Sequence, residues 1–487
     1  MKKLMLVFPA ALFLLMAALG CSEEESDPPV PPPPMPEIAD INSSLDPQTP
    51  VSTAIEINGS GFLDGPGTVR FQGPASSTDV TPPVGSWSAD SIVAMVPAGF
   101  TAPVTVTVFV ITQNGTSNGI DLDIVSVPDF NPDSLAWATS TAYPEALRGL
   151  KAAAVGYTAS RAYIYVTGGQ TGGGSPANRS DARFIGMTVS GASFNVDAAW
   201  TDVNDMPANR AFHALAAASC ENSPVPAGTA YLFSVGGQAA ATASGGTDSV
   251  FSAKATLSTG SLDAWQAAGT IPAPRWGHAA LVYRGCLFVV GGYDAAGNPV
   301  DTIYQAGVRS DGTLEAFRAS QATLPMPAGS IGIAAFGGKM YLFGGETAAS
   351  ANPNAATPGN YVNNAYYAPL TGGEVGPFVV TGSTVLGKLR KKHVMWNSFG
   401  QIVAAEGIYD GAIGSTEMTA NEINADGTLD AWEGLTGSNV ANADVFNAAG
   451  ATSPITANGS GPRFFLIGGQ DWASGQPVAA IWVNTAP

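Results

Sequence analysis

The chain has 487 residues, 45% of them hydrophobic, which excludes a wholly disordered polypeptide and leaves room for two or three domains of roughly 100 to 200 residues. Charged residues make up only 12%, while 58 Gly and 36 Pro suit short strands joined by tight turns, so a mostly β protein is expected. A formal charge of −18 repels phosphate backbones, which argues against a nucleic-acid partner, and three cysteines are too few for a disulfide framework.

At the N-terminus, Lys2 and Lys3 precede an apolar run from Leu4 to Leu19, interrupted by Pro9 and too short to span a bilayer comfortably, which reads as an export signal. Ala18-Leu19-Gly20-Cys21 closes it and resembles the bacterial lipobox, with Ala18 where Leu is usual. The resemblance implies a signal peptide over 1–20 and lipidation at Cys21. Ser22, rather than Asp, implies sorting to the outer membrane of a Gram-negative cell, facing either the periplasm or the exterior. Residues 21–36 are acidic at Glu23 to Glu25 and then proline-rich through Pro28, Pro29 and Pro31 to Pro34. Such a tether holds extended polyproline geometry at about 3.1 Å per residue, lifting the folded part off the membrane.

From 37 to 126, apolar and polar residues alternate in short runs such as Ala54-Ile55-Glu56-Ile57-Asn58 and Val104-Thr105-Val106-Thr107-Val108, bounded by turn formers. A small β-sandwich is predicted. Pro36-Glu37-Ile38, Ile57-Asn58-Gly59-Ser60-Gly61-Phe62, Val69-Arg70-Phe71, Ile92 to Val96 with Pro97, and Gly115-Thr116-Ser117-Asn118-Gly119 together resemble the IPT/TIG immunoglobulin-like family. Gly59 and Gly61 suit a strand end needing positive φ or close backbone approach, and Phe62 is placed to plug the sandwich. The second strand is preceded by Asp46-Pro47-Gln48-Thr49-Pro50 instead of the usual glycine-rich turn. No chemistry is visible in this module.

Residues 127–487 repeat with a period of about 52 to 65 residues. Each unit carries an apolar run, a glycine pair and an aromatic anchor. The pairs are Gly168-Gly169, Gly236-Gly237, Gly291-Gly292, Gly344-Gly345 and Gly468-Gly469, with Glu406-Gly407 as a degenerate member; the anchors are Trp137, Trp200, Trp265, Phe317, Phe378 and Trp432. Arg210 with His213, Arg275 with His278, and Arg390 with His393 give Arg-x-x-His ahead of three pairs. These elements resemble the kelch repeat, best seen in Pro274-Arg275-Trp276-Gly277-His278 and Leu287-Phe288-Val289-Val290-Gly291-Gly292. The resemblance implies four-stranded blades packed radially. Because the last repeat has no anchor before Pro487 and Trp137 precedes the first pair, the strand around Leu135 to Thr139 is expected to complete the last blade. The predicted fold class is all-β: a sandwich followed by a six-bladed propeller closed by its N-terminal strand.

Some relatives of this fold are enzymes, notably copper-dependent galactose oxidases and sialic acid mutarotases. Copper needs two imidazoles and tyrosines converging at the axis, whereas His213, His278 and His393 share one repeat position and read as packing residues. No copper is expected. Buried thiols are the expected state of Cys220 and Cys286. Asp294-Ala295-Ala296-Gly297-Asn298 with Asp301 offers oxygens to Ca²⁺, but without EF-hand spacing a loop turn is the preferred reading. No hydrolase, protease or phosphate-loop motif is present.

The loops after the glycine pairs and those leading into each inner strand are predicted to share one face. It would collect Gln170, Gln238, Tyr293, Asp294, Glu346, Tyr409, Asp410, Asp471 and Trp472 with Arg148, Arg210, Arg275, Trp276 and Arg390. Aromatic and amide groups beside carboxylates suit a glycan or a protein segment, and Trp472, outside the anchor register, is the foremost candidate contact. The favoured function is a surface-tethered, monomeric, non-catalytic recognition protein binding a glycan or an envelope protein. The alternative is a carbohydrate-acting oxidase or mutarotase.

Overall fold

The computed structural model describes residues 34–41, 48–49, 54–63, 67–82, 86–124, 135–220, 222–241, 245–349, 360–362, 364–371, 373–381, 390–398, 401–405, 407–409, 418–424, 427–429, 433–435, 445–455 and 463–485. The export signal, Cys21 and the tether up to residue 33 lie outside them, as do Glu406, Asp410 and Trp432 and most of the Asp46 to Pro50 loop. Among the described residues the chain is all-β, without a helix.

The alternating runs of the first module form two sheets. Glu37–Ile41, Ala54–Ser60 and Ser91–Met95 make one. Gln48–Thr49, Ile120–Ile124, Val104–Thr112, Thr68–Gln72 and Ser77–Val80 make the other, in that spatial order. Period-two patterning sends Ile57, Val69, Phe71, Val106, Val108 and Leu122 into a shared core in which Phe62 is fully buried. Gly61 has φ +71°, and a Cβ on Gly59 would meet the Glu37 carbonyl at 2.0 Å and the Phe62 ring at 2.5 Å. Both glycines are therefore required by backbone approach around the plug.

Among the described residues the repeats form six antiparallel sheets of four or five strands, whose first strands are Lys151–Thr158, Ala214–Ser219, Ala279–Tyr283, Gly332–Phe336, Val394–Ser398 and Ala449–Thr452, and two two-stranded ladders, Arg390–Lys391 with Ile408–Tyr409 and Val445–Phe446 with Gln470–Asp471. The six first strands touch in sequence order, and the sixth touches the first. In the sixth sheet the order is Ala136–Thr139, Ile481–Thr485, Phe464–Ile467, Ala449–Thr452, with Trp137 opposite Asn484. The expected partner of the Trp137 strand is thus the one observed. Pairing with Ala136–Thr139 covers the edge of Ile481–Thr485 that would otherwise lie open.

Neighbouring sheets are joined through the glycine pairs. The second glycine of each donates its N–H to the next repeat: Gly169 to Arg210, Gly237 to Arg275, Gly292 to Ala328, Gly345 to Arg390, Gly407 to Val445, and Gly469 back to Leu147. Both positions of a pair need glycine, since Gly236 and Gly237 have φ +55° and +90° and their absent Cβ atoms would strike the Arg275 carbonyl and the His213 backbone.

A feature with no glycine signature closes the axis. Gly149, Phe212, Gly277, Ser330, Lys392 and Asn447 occupy equivalent positions, and all have φ between +52° and +63°. Each N–H donates to the carbonyl of the preceding member, with Gly149 donating to Asn447, at distances from 2.7 to 3.4 Å. The result is a cyclic chain of six backbone hydrogen bonds. Four non-glycine residues accept left-handed backbone here, at a cost of order 1 kcal/mol each, in a setting that leaves them no other conformation.

Further out, anchors tie sheets together: Trp265 Nε1 donates to Asn204 O at 2.8 Å and Trp200 Nε1 to Thr141 O at 3.2 Å, while Trp137 packs on Trp396 with centroids 5.7 Å apart. No disulfide joins Cys220 and Cys286; burial raises the Cys286 thiol to about 11.

The sandwich seats on the first-strand hairpins of the third and fourth sheets. Glu56, 2% exposed, accepts from Tyr283 OH, Arg284 Nη2 (3.1 Å) and Gly338 N (3.2 Å), and Arg284 also bonds Asn58 and pairs with Asp90. A Cβ on Gly337 would meet Val93 at 2.5 Å. Burial raises the Glu56 carboxyl, against the opposing pull of Arg284 and the Gly337 and Gly338 amides. These hairpins lie at the far end of the first strands from the glycine pairs.

Candidate functional site

At the glycine end, each repeat continues the ladder past its glycine pair. Arg148, Ala211, Trp276, Gly329, Lys391 and Phe446 bridge respectively to Gln170, Gln238, Tyr293, Glu346, Ile408 and Gln470. These bridges put the residues after the glycine pairs immediately around the cyclic hydrogen-bonded chain. Sequence reasoning placed most of them on one face, and they are on one face, but as a buried layer rather than as an open rim.

The geometry shows why. Arg148 donates to Gln170 Oε1 through Nε (3.1 Å) and Nη2 (3.0 Å); Gln170 donates to Asn178 Oδ1 at 2.9 Å, and Asn178 to the Gln238 carbonyl at 2.7 Å. That chain of bonds crosses from the first repeat to the second. Arg210 donates to Asn209 O (2.9 Å) and Ser249 Oγ (2.6 Å), and its guanidinium lies over Phe251. Arg275 repeats the arrangement with Pro274 O (2.9 Å), Thr302 Oγ1 (2.7 Å), Tyr304 OH (2.9 Å) and the Tyr304 ring. The backbone carbonyls of these arginines, not their guanidiniums, bond the preceding sheet. Arg390 is 1% exposed. Burial lowers the pKa of Arg148, Arg210 and Arg275.

Between the third, fourth and fifth repeats the layer becomes aromatic and charged. Trp276 stacks on Tyr293 with centroids 4.3 Å apart and is edge-on to Phe212 at 6.4 Å. Tyr293 OH donates to Glu346 Oε2 at 2.6 Å, and the Lys391 ammonium, 0% exposed, donates to Glu346 Oε1 at 2.6 Å while lying over the Tyr361 ring. Burial and the Glu346 charge hold the Tyr293 phenol well above its usual range. Lys392 lies over Phe446 and is lowered to about 8 by burial, with Glu346 pulling the other way. A carboxylate held between a phenol and an ammonium is fixed in position, so this network orders the loops above it.

The residues that reach solvent stand on that layer. Asp294 Oδ1 accepts from the Ala296 and Asn298 amides at 2.9 and 2.8 Å, and Trp276 Nε1 donates to the Asp294 carbonyl at 3.1 Å. Burial works to raise the Asp294 carboxyl, and the bonds from Asn298, Ala296 and Gly297 outweigh it, so its pKa is lowered. Asp471 Oδ1 accepts from Ser474 N (2.7 Å) and Ser474 Oγ (2.6 Å), which lowers its pKa. Both carboxylates cap their own turns. Between them in function, though not in chain position, stands Trp472: half-buried, its ring 6.2 Å from Phe446 and thus beside the axis. Tyr409 pairs with Arg390 through the backbone, and its side chain, like Asp410, is outside the described residues.

The three histidines stand one residue before their inner strands, each in a separate seam. Absent Cβ atoms on Gly168, Gly236 and Gly344 would meet the Cε1 atoms of His213, His278 and His393 at 2.9 Å in every case. His213 Nε2 bonds Thr167 Oγ1 at 2.9 Å. Burial depresses all three, His278 and His393 to about 3. Among the described residues no three His, Cys, Asp or Glu side chains converge as metal ligands.

Sequence reasoning missed Lys391, Lys392, Phe212 and Phe446. The degenerate Glu406-Gly407 pair marked their repeat, but nothing in Arg390-Lys391-Lys392-His393 shows which lysine meets Glu346.

Comparison with known proteins places one motif. A Kelch motif matches residues 274–305, which run from Pro274 through the stacked Trp276 and Tyr293 to Gln305 in the third strand of the third sheet. No curated protein matches the chain. The chain therefore contains a Kelch motif on an all-β fold of antiparallel sheets, an architecture that commonly mediates protein interactions.

Proposed function

We propose that the six repeat sheets are the blades of a kelch-type β-propeller closed by Ala136–Thr139, that the preceding module is an IPT/TIG-like sandwich, and that the whole is a recognition protein tethered to the outer membrane through a lipid on Cys21. Its ligand is a glycan or an envelope protein. The binding face is the glycine-pair end, with Trp472, Asp471 and Asp294 as contacts. Arg210, Arg275, Arg390, Trp276, Tyr293 and Glu346 form the supporting layer, and Tyr409 belongs to the same end of its repeat.

The observation that carries this reading is the position of Trp472. An indole left half-buried beside the axis, on a turn braced by Asp471 and Ser474, is a rigid amphipathic contact of the kind that dominates binding energy. The sandwich occupies the opposite hairpins through Glu56 and Arg284, which leaves the glycine-pair end uncovered by it. Glycan arrays and envelope pull-downs with the intact protein and with Trp472→Ala test it. Loss of tenfold or more in affinity, with melting temperature unchanged, supports the assignment; ligand capture indifferent to Trp472→Ala, Asp471→Ala and Asp294→Ala refutes it.

A further inference from the structure

Just inside the cyclic hydrogen-bonded chain, the six first strands line an open axial cavity of about 160 Å³, room for several waters. Its wall is composed mainly of alanine, glycine and aliphatic side chains. The polar exceptions are Lys151 from the first strand, His278 from the third and His393 from the fifth. From the second, fourth and sixth strands the wall is Ala214 and Leu215, Ile331 to Ile333, and Ala448 to Gly450, and none of the described lining residues is a carboxylate.

Lys151 is the unusual group. Lys391, a few residues from the cavity, has Glu346 at 2.6 Å, whereas Lys151 makes no hydrogen bond or ion pair among the described residues. Lys151 is half-buried, and an ammonium drawn partly out of water into a mainly apolar pocket favours an anion beside it. The other polar side chains on the wall are the imidazoles of His278 and His393, each of which, when neutral, presents one donor and one acceptor nitrogen. His213, His278 and His393 all feel Lys151, and Arg210, Arg275 and Arg390 stand behind them. His393 Nε2 points at the wall where a Cβ on Gly332 would sit 2.6 Å away.

We propose that the axial cavity is a binding site for one small monoanion, of the size of chloride, bromide or formate, held by the Lys151 ammonium with His278 and His393 beside it. One charge is inferred because burial keeps both imidazoles neutral above about pH 3, so a single cation faces the ion. Burial also lowers Lys151 to about 8, which confines strong binding to lower pH in the absence of further stabilisation by the anion.

Bromide is the probe. Anomalous diffraction from crystals of the full chain soaked in sodium bromide at pH 6.5 should place an ion in the cavity against Lys151 Nζ. The peak should weaken at pH 9.5 and vanish in Lys151→Met. In solution, replacing sulfate by bromide at constant ionic strength should raise the melting temperature of the wild-type protein and leave Lys151→Met unmoved. A cavity holding only water at pH 6.5, a bromide peak that persists in Lys151→Met, or the same bromide response in both proteins would overturn the assignment. Should Lys151→Met not fold, the wild-type pair at pH 6.5 and 9.5 decides, equal occupancy being the refuting result.

Discussion

Two lysines near the axis, Lys391 buried and Lys151 half-buried, show what the surroundings of a charge reveal. Lys391 sits in a finished network: Glu346 faces it, Tyr293 fixes Glu346, and Trp276 stacks on Tyr293. Lys151 looks into a cavity with no acid among its described lining residues. A charge that the fold has already matched is part of the scaffold, and a charge left unmatched marks a place where something from solution belongs. The same rule separates Arg210 and Arg275, whose guanidiniums are spent on their own repeats, from Trp472, whose ring has solvent on one side.

The largest expected effect is on the matched lysine. Glu346→Ala removes the carboxylate from both Lys391 and Tyr293 and should cost about 3 kcal/mol or more in urea unfolding; a loss below about 1 kcal/mol would show that the network contributes little. The unmatched lysine should respond in the opposite direction. With a folded pKa near 8 against 10.5, Lys151 binds its proton less well in the folded state, so it penalises folding below pH 8 and the penalty fades as pH rises towards 10.5. In sulfate at pH 7, Lys151→Met should therefore stabilise on the order of 2–3 kcal/mol. Destabilisation there would break the contrast.

A smaller effect distinguishes the histidines from both lysines. Their folded pKa values are depressed, so their contribution is intact above pH 6.5 and is lost as pH falls from 6.5 towards about 3. His278→Gln should flatten that acid limb in melting curves while changing stability at pH 7.5 by about 1 kcal/mol. An acid limb unaltered by the substitution would mean that this imidazole is not held neutral in its seam.

Much of the fold was legible because its constraints fall on single residue types. A glycine pair with two positive φ angles admits few alternatives, so Gly236-Gly237 or Gly468-Gly469 can be read directly, and the anchor Trp137 without a glycine pair of its own pointed to the pairing with Ile481–Thr485. Phe62 and Gly61 in the sandwich were readable for the same reason. The cyclic hydrogen-bonded chain was not. Its members include Phe212, Ser330, Lys392 and Asn447, which share a conformation and no chemistry, so no pattern betrays them. At the glycine-pair end, the residue types were visible but their burial was not, since whether Arg210 faces solvent or Phe251 depends on strands about forty residues apart. Lys151 was equally silent, because the lack of a partner is a property of six strands together. The seat of the sandwich on Tyr283 and Arg284 likewise depends on a meeting of distant residues, in which Glu56 reads in the sequence as a polar strand position.

The proposed ring closed by Ala136–Thr139 is the premise of the account, and a cross-link between that strand and Ile481–Thr485 tests it most directly. Ala138 and Val483 are register partners, close enough in an antiparallel pair to accept a disulfide. In the double variant Ala138→Cys, Val483→Cys, closure requires that peptide mapping under oxidising conditions find these two cysteines joined, and that the oxidised protein melt above its reduced form. Two unreacted thiols at those positions, with Cys220 and Cys286 unchanged, would contradict a ring sewn shut by its first strand.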